Sequence, residues 1–143
     1  LSAVGHRIVH GGDFTSAVLI EEAVRDRIAA LAGLAPLHNP PSLETLAAAE
    51  RLLPGVPQIA VFDTAFHATL PQPARTYPVP EAWSREWGIR RFGFHGLSHA
   101  YCAGRAAELL QRSPAGLRLI ICHLGRSMRG RCSARMLMRA SFA

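Results

Sequence analysis

The chain has 143 residues, of which 49% are hydrophobic, and its formal net charge is +6. This length allows one ordinary hydrophobic core, and the composition does not indicate two complete domains. No apolar run approaches the ~20 residues of a membrane span. No charged segment followed by a long apolar one marks a secretory signal, so we expect no membrane association.

The cysteines indicate the cellular compartment, and the distribution of charge bears on the class of partner. Cys102, Cys122 and Cys132 are odd in number and widely spaced, which indicates neither a disulfide framework nor a metal knuckle. We therefore expect a cytoplasmic protein. Five of the 16 basic residues lie in 126–143, where no acid occurs, so residues 1–125 hold 11 basic and 10 acidic residues, a net charge of +1. The body of the chain offers no case for nucleic acid as a partner.

A first strand is predicted over residues 4–10, where apolar and polar residues alternate before a glycine turn. Arg7 on one side of this strand fits either a site residue or a surface ion pair. His6 and His10 share the other side, as two metal ligands would. Histidines in such positions are more often hydrogen-bonded structural residues, and no acid or cysteine nearby completes a ligand set.

Two helices are predicted next, over residues 21–34 and 42–53, with a rigid proline loop between them at 37–41. Ser42 can cap the second helix. The residues expected to face inward are Val24, Ile28 and Leu31 in the first helix and Leu43, Leu46 and Ala47 in the second.

The continuous apolar run at residues 59–62 predicts a strand that is buried on both faces. It ends at Asp63, and carboxyl ends of buried strands are where open α/β sheets place their ligands. Taken alone, the pattern also fits an Asp that caps the following turn.

Residues 68–80 contain four prolines and predict an irregular connection, followed by a short helical turn at 81–87. Trp83 and Trp87, four residues apart in this turn, are expected to pack in the core or at an interface.

Glycines flank Phe94 and His95 just before a predicted helix whose inward residues would be Ala106, Leu109 and Leu110. Glycine next to a helix amino terminus favours close backbone approach and binding of an oxyanion. His95, His99 and Cys102 could also be drawn as zinc ligands, but the remaining ligand of such a site is not evident.

A last buried strand is predicted over residues 117–122, ending in His123, Leu124 and Gly125. Strands that alternate with helices indicate an α/β protein. The strand ends carrying Arg7, Asp63 and His123, together with the His95 loop, are expected to meet at one location.

Five segments, in order and spacing, resemble the acetokinase family. Residues 5–12 (GHRIVHGG) resemble its G-H-R-x-V-H-G-G signature, and the other four segments are 35–40 (APLHNP), 61–67 (VFDTAFH), 91–96 (RFGFHG) and 122–125 (CHLG). The resemblance covers residues 1–125. It implies part of the first domain of the superfamily that acetate and sugar kinases share with heat-shock ATPases and actin, a mixed sheet with flanking helices.

The resemblance also implies a phosphotransferase that moves a phosphoryl group between ATP and acetate, with Mg²⁺ as cofactor and a homodimer as the full-length form. Such a transfer requires positioning and positive charge more than covalent work. Because one methylene in an apolar pocket is worth only about 1–3 kcal/mol, propionate is a second expected substrate.

The roles of individual residues follow from the same resemblance. Arg7 matches the arginine that holds the carboxylate and the migrating phosphoryl group, and Asp63 matches the aspartate that orients this chemistry. His95 matches the histidine that stabilises charge on the phosphoryl group, with His38 nearby. The matching acetate pocket is Val9, Leu37 and Phe94, and the start of an ATP-phosphate loop is His123, Leu124 and Gly125.

Residues 126–143 depart from the family, and we expect them to form a non-homologous, disordered basic tail. The change at Arg126 is what a reading-frame shift in GC-rich coding sequence would give, and 16 basic residues without a single Lys fit such a sequence. The family's opening strand, its magnesium ligands and its second domain have no counterpart here. We therefore expect no metal ligand in this fragment and no activity from it alone.

Two other functions fit parts of the sequence. A non-catalytic fragment could bind nucleic acid or an anionic surface through the five arginines of the tail, although the tail lacks aromatic platforms for single strands. A metal hydrolase built on the histidine-rich loops ranks lowest.

Overall fold

A computed structural model of the chain describes residues 1–122 and, as backbone, 135–139. The described chain divides into two compact units, Leu1–Gly96 and Leu97–Ala143. None of the described helices is long and apolar enough to cross a membrane.

The first unit is built on a three-stranded mixed sheet in the order β1, β3, β2. Strand β1 (Val4–Ile8) runs parallel to β3 (Gln58–Phe62), and the short β2 (Val18–Leu19) pairs antiparallel with the other edge of β3. The sequence predicts β1 and β3 but not β2, whose two residues are too few to show a period. The mixed sheet confirms the predicted fold class.

The two predicted helices are present with altered bounds, as α1 (Glu22–Ala30) and α2 (Asn39–Leu52). The start of α2 at Ser42 is wrong, because the helix begins three residues earlier. Proline fits the first turn of a helix, where its missing N–H is not needed, and α2 has proline at its first positions. The Ser42 hydroxyl instead donates to the His38 carbonyl, one turn back.

The core of the first unit lies between this sheet and these helices. Its buried residues are Ile8, Phe14, Ile20, Ile28, Leu46, Ala60 and Phe62. The rings of Phe14 and Phe62 stack with centroids 4.6 Å apart. Of the residues predicted to face inward, Ile28 and Leu46 are fully buried, and Val24 and Leu43 pack against the cluster.

A 3₁₀ turn (Ala65–His67) and two short helices, α3 (Gln72–Arg75) and α4 (Glu81–Trp87), complete the first unit. The prediction of a wholly irregular connection over 68–80 is wrong at α3, because its proline lies in the first turn. Core packing of Trp83 and Trp87 is also wrong within this unit, since both side chains are exposed and touch each other at a centroid distance of 5.4 Å.

Helix α5 (Gly96–Leu109) begins at the last residue of the first unit. Its buried face is made by His99, Ala103 and Ala107. Leu109 and Leu110, predicted to face inward, are exposed. Residues four positions apart form the buried stripe, whereas the prediction placed the buried face at Ala106, Leu109 and Leu110.

The second unit also contains β4 (Arg118–Cys122), which pairs antiparallel with β5 (Arg135–Arg139). The prediction that this strand is buried is wrong, because Ile120 is exposed and the strand belongs to a separate two-stranded sheet. Strand β5 falls within the segment expected to form a disordered tail, and that expectation stays a prediction. Residues 123–134 and 140–143 lie outside the described residues, so the domain division stays a prediction.

Candidate active site

A cleft of about 610 Å³ lies in the first unit, where β1 and β3 end side by side. Because the strands are parallel and Ile8 lies opposite Phe62, the residues at both carboxyl ends meet at one edge of the sheet. The lining residues are Gly5, His6, Arg7, Val9, Leu37, His38, Pro41, Ser42, Thr45, Asp63 and His95.

Arg7 and Asp63 form an ion pair in this cleft. The Arg7 Nη2 donates to Asp63 Oδ2 at 2.7 Å, and its Nε lies 3.2 Å from Oδ1. Asp63 is fully buried, whereas the Arg7 side chain is 57% exposed. The hydrogen bond to Asp63 raises the pKa of Arg7 above its ordinary value, against a smaller opposing effect of burial. The guanidinium is therefore a permanent, oriented positive charge with part of its surface open to a ligand.

His95 reaches the same cleft from a strained loop. It has a φ of +57°, a left-handed conformation that costs a non-glycine residue energy. A Cβ at Gly93, with φ +77°, would lie 2.5 Å from the His67 ring, and one at Gly96 would lie 2.0 Å from the Asp63 carbonyl oxygen. Glycine at these two positions lets the loop approach the end of β3, which explains how His95 comes close to Asp63.

The loop before α2 supplies Leu37 and His38 to the cleft. Its position is fixed by Asn39, a fully buried residue whose side chain exchanges two hydrogen bonds with His10 in the segment after β1. The Asn39 amide donates to the His10 carbonyl at 3.0 Å, and its Oδ1 accepts from the His10 N–H at 3.2 Å. Asn39 therefore holds Leu37 and His38 at a set distance from Arg7 and Val9.

The structure thus brings six of the predicted site residues together, namely Arg7, Val9, Leu37, His38, Asp63 and His95. Phe94 is not among the lining residues. Its side chain is exposed, its ring lies 5.8 Å edge-on from that of His10, and its carbonyl accepts from His67 Nε2 at 3.0 Å. The predicted nucleotide contacts His123, Leu124 and Gly125 lie outside the described residues.

Sequence reasoning missed two residues that build the site, Asn39 and Thr64. The Thr64 hydroxyl accepts from the Gly11 N–H at 3.0 Å and so ties the turn after β1 to the end of β3. Both side chains are buried and polar. Such residues stand out in a sequence only when the elements they connect are already known.

The two histidines left open between metal binding and structure have structural partners. His6 Nε2 lies 2.7 Å from Gln58 Oε1, and His10 Nδ1 accepts from the Gly12 N–H at 3.1 Å. Burial lowers the pKa of His10, assisted by the nearby charge of Arg90. Over residues 1–122, no group of three or more His, Cys, Asp or Glu side chains could hold a metal ion.

Comparison with known proteins finds a matching family model and similar full-length proteins. The family model described as "Acetokinase family" matches residues 1–130. The acetate kinase of Trichormus variabilis is 56% identical over 126 residues, which cover 87% of this chain and 31% of that protein. The acetate kinase of Geobacter sulfurreducens is 52% identical over a stretch of the same length. The chain therefore spans about a third of the length of these relatives.

Solved structures of similar fold also include an acetate kinase, and this chain again covers about a third of each of the two described next. The acetate kinase of Porphyromonas gingivalis has a TM-score of 0.82 and 44% identity, covering 87% of this chain and 31% of its own. A propionate kinase from Francisella tularensis has a TM-score of 0.81 and 41% identity, covering 86% of this chain and 32% of its own.

Proposed function

Because this chain belongs to the acetokinase family, we propose that its cleft binds a short-chain carboxylate and orients it for phosphoryl transfer from ATP. Acetate is the first substrate and propionate the second, and acetyl phosphate is the product of the acetate reaction. The similarity of this chain to acetate kinases and to a propionate kinase supports this substrate class.

The observation that carries the proposal is the Arg7–Asp63 pair inside the cleft. Asp63 occupies one side of the guanidinium and fixes its direction, while more than half of the Arg7 side chain stays exposed. Arginine binds carboxylate and phosphoryl oxygens through charge-assisted hydrogen bonds. In our proposal Arg7 binds both the acetate carboxylate and the migrating phosphoryl group, and Asp63 orients Arg7.

The remaining cleft residues divide into polar and apolar groups. We assign His95 and His38 to the charge on the transferred phosphoryl group, since imidazole donors aimed at developing charge lower a barrier of this kind. We assign Val9 and Leu37, both lining the cleft, to the methyl group of acetate. We leave Phe94 out of this pocket, because it does not line the cleft.

ATP as phosphoryl donor and Mg²⁺ as cofactor remain part of the proposal, with His123, Leu124 and Gly125 as nucleotide contacts. The described residues do not fit a protein-held magnesium ion, because the one carboxylate lining the cleft, Asp63, directs both oxygens at Arg7. Our mechanism therefore contains no step through a metal ligand of residues 1–122.

The assembly and setting of the protein are also proposals. We infer a homodimer for the full-length form and a reducing cytoplasm, which the exposed thiols of Cys102 and Cys122 support. The 143 residues alone, which match 31% of a relative's length, are proposed not to turn over. Closing of a second domain over ATP, which excludes water in such enzymes, needs chain beyond this match.

The rival functions gain no support from described residues. Binding of nucleic acid or an anionic surface would use tail side chains that lie outside the described part of the chain. A metal hydrolase needs a ligand cluster, and residues 1–122 contain none.

The proposal is tested by titrating the ¹⁵N-labelled chain with acetate and with acetyl phosphate, using nuclear magnetic resonance. We expect shifts at the Arg7 Nε–H and at the amides of Val9, Asp63 and His95, and loss of these shifts in Arg7→Gln. Arg51→Gln, which changes an exposed arginine outside the cleft, is the matched control. Equal affinities in Arg7→Gln and Arg51→Gln would contradict the proposal.

A further inference from the structure

A second cavity, of about 500 Å³, lies in the first unit and shares no lining residue with the cleft. Its charged lining residues are Arg75, Arg90 and Asp13, which give a net charge of +1. Arg75 and Arg90 also line a smaller adjoining cavity of about 200 Å³. Both volumes together are within the usual size of small-molecule sites.

The backbone holds these two arginines together. The Arg91 N–H donates to the Arg75 carbonyl at 2.7 Å, and the Arg91 side chain donates to the Ala74 carbonyl at 3.1 Å. These bonds fix the end of α3 beside the segment that carries Arg90. The cavity is therefore formed by connected elements of one unit.

The Arg90 guanidinium is itself held in a defined position. It lies over the Phe92 ring at 3.9 Å and donates to Asp13 Oδ1 at 2.9 Å. The Arg90 side chain is only 26% exposed, whereas that of Asp13 is 88% exposed. The cation is the buried partner of this pair, and an incoming anion can displace the exposed Asp13 carboxylate toward solvent.

Arg75 adds a second positive charge. Among residues 1–122, no carboxylate forms an ion pair with the Arg75 guanidinium, and the residue is partly buried. A half-buried cation facing a cavity is stabilised by an anion, because its own hydration is incomplete.

Part of the lining is apolar and aromatic. Leu31 and Leu34 come from the segment after α1, and Trp87 is the last residue of α4. All three offer apolar surface that a small planar or aliphatic group can cover.

From these features we propose that the Arg75–Arg90 cavity is a second binding site, for an organic phosphate that carries a planar or aliphatic body. The phosphate oxygens bind between the two guanidinium groups, and the body packs against Leu31, Leu34 and Trp87. Bidentate geometry is what makes arginine suited to phosphate. The site is independent of the carboxylate cleft and of the proposed kinase activity.

Tryptophan emission reports on this cavity, because Trp87 lines it and the one other tryptophan of the sequence, Trp83, lies in the same helix. We therefore test the site by titrating the chain with phenyl phosphate while following tryptophan emission. We expect a saturable change and an affinity at least tenfold higher than that for inorganic phosphate, which has no ring to pack. Equal affinities, or no change, would refute an organic phosphate as the ligand.

Substitutions then locate the site. Arg75→Gln and Arg90→Gln should each weaken phenyl phosphate binding about tenfold or more, while Arg51→Gln should leave it unchanged. Asp13→Asn should strengthen binding, because it removes the competing carboxylate from Arg90. Arg7→Gln separates this site from the cleft: binding that is lost in Arg7→Gln and kept in Arg75→Gln would overturn the proposal.

Discussion

The Asp63 carboxylate is fully buried, while the Arg7 side chain that binds it through both Nε and Nη2 is 57% exposed. Loss of the ion pair therefore costs the two side chains different amounts of free energy. Arg7 can turn toward water if the pair is broken, but Asp63 cannot, so removal of Arg7 leaves an uncompensated buried charge.

This asymmetry predicts the order of two stability losses. Arg7→Gln should lower the free energy of unfolding by about 2–3 kcal/mol, a value reduced from that of a fully buried pair because Arg7 is exposed. Asp63→Asn should cost about 1–2 kcal/mol, since it leaves a buried amide donor unsatisfied. Urea unfolding at pH 7 measures both. A larger loss of stability in Asp63→Asn than in Arg7→Gln would contradict this order. The double variant gives the interaction free energy between the two side chains.

The close approach of the His95 loop to β3 gives a second prediction. Gly96→Ala places a Cβ 2.0 Å from the Asp63 carbonyl oxygen, so the loop must move. We expect a loss of about 2–3 kcal/mol in stability and weaker binding of acetate.

Gly104→Ala in α5 is the matched control for this change. A Cβ at Gly104 meets nothing within 4 Å, so alanine should stabilise the helix by about 0.5–1 kcal/mol. Equal effects of the two substitutions on acetate binding would show that the contact at Gly96 does not position His95.

Asn39 does not line the cleft, but its substitution should change ligand binding there. Asn39→Leu removes both hydrogen bonds to His10 and leaves that backbone N–H and carbonyl buried without partners. We expect a stability loss of about 2–4 kcal/mol and a shift of Leu37 and His38 away from Arg7. The same nuclear magnetic resonance titration checks this. Acetate affinity should fall, while the signals of the Arg7 Nε–H and the Asp63 amide in the free chain stay where they are in the original chain. Unchanged acetate affinity in a folded Asn39→Leu chain would contradict a positioning role.

Much of this arrangement could be predicted from the sequence, for reasons that particular residues make clear. Alternation identifies β1, and a continuous apolar run followed by Asp63 identifies β3, because period and burial are local properties. The pairing of β2 with β3 is not local, and neither is the bond from Asn39 to His10. The sequence pattern favours Ala106, Leu109 and Leu110 as the inward face of α5. The buried residues are instead His99, Ala103 and Ala107, because the face that becomes buried depends on non-local packing.

The buried histidines predict a pH dependence of stability. Burial lowers the pKa of both His10 and His67 below the ordinary value of 6.5, partly offset at His67 by its bond to the Phe94 carbonyl and by Asp63. Below about pH 6.5 the unfolded chain therefore binds more protons than the folded chain. Stability from these groups is fully present above that pH and is lost as the pH falls toward the lower folded values.

A double variant isolates this effect. In His10→Asn/His67→Gln, Asn can accept from Gly12 and Gln can donate to Phe94, but neither titrates. Chemical denaturation between pH 7 and pH 5 should show a shallower decline in stability for the variant than for the original chain. Parallel curves would mean that these two histidines do not cause the decline.

The open cleft predicts weak selection between acetate and propionate. Leu37 is 74% exposed although it lines the cleft, so the wall beside Val9 is not closed around a methyl group. One methylene changes binding in an apolar pocket by about 1–3 kcal/mol, and an incomplete wall should bring the difference to the lower end of that range. Competition titrations should therefore place the two dissociation constants within about tenfold of each other.

Val9→Ala should shift the preference toward propionate by enlarging the pocket, with Val79→Ala, outside the cleft, as control. If Val9→Ala and Val79→Ala give the same ratio of affinities, Val9 does not contact the substrate's apolar end.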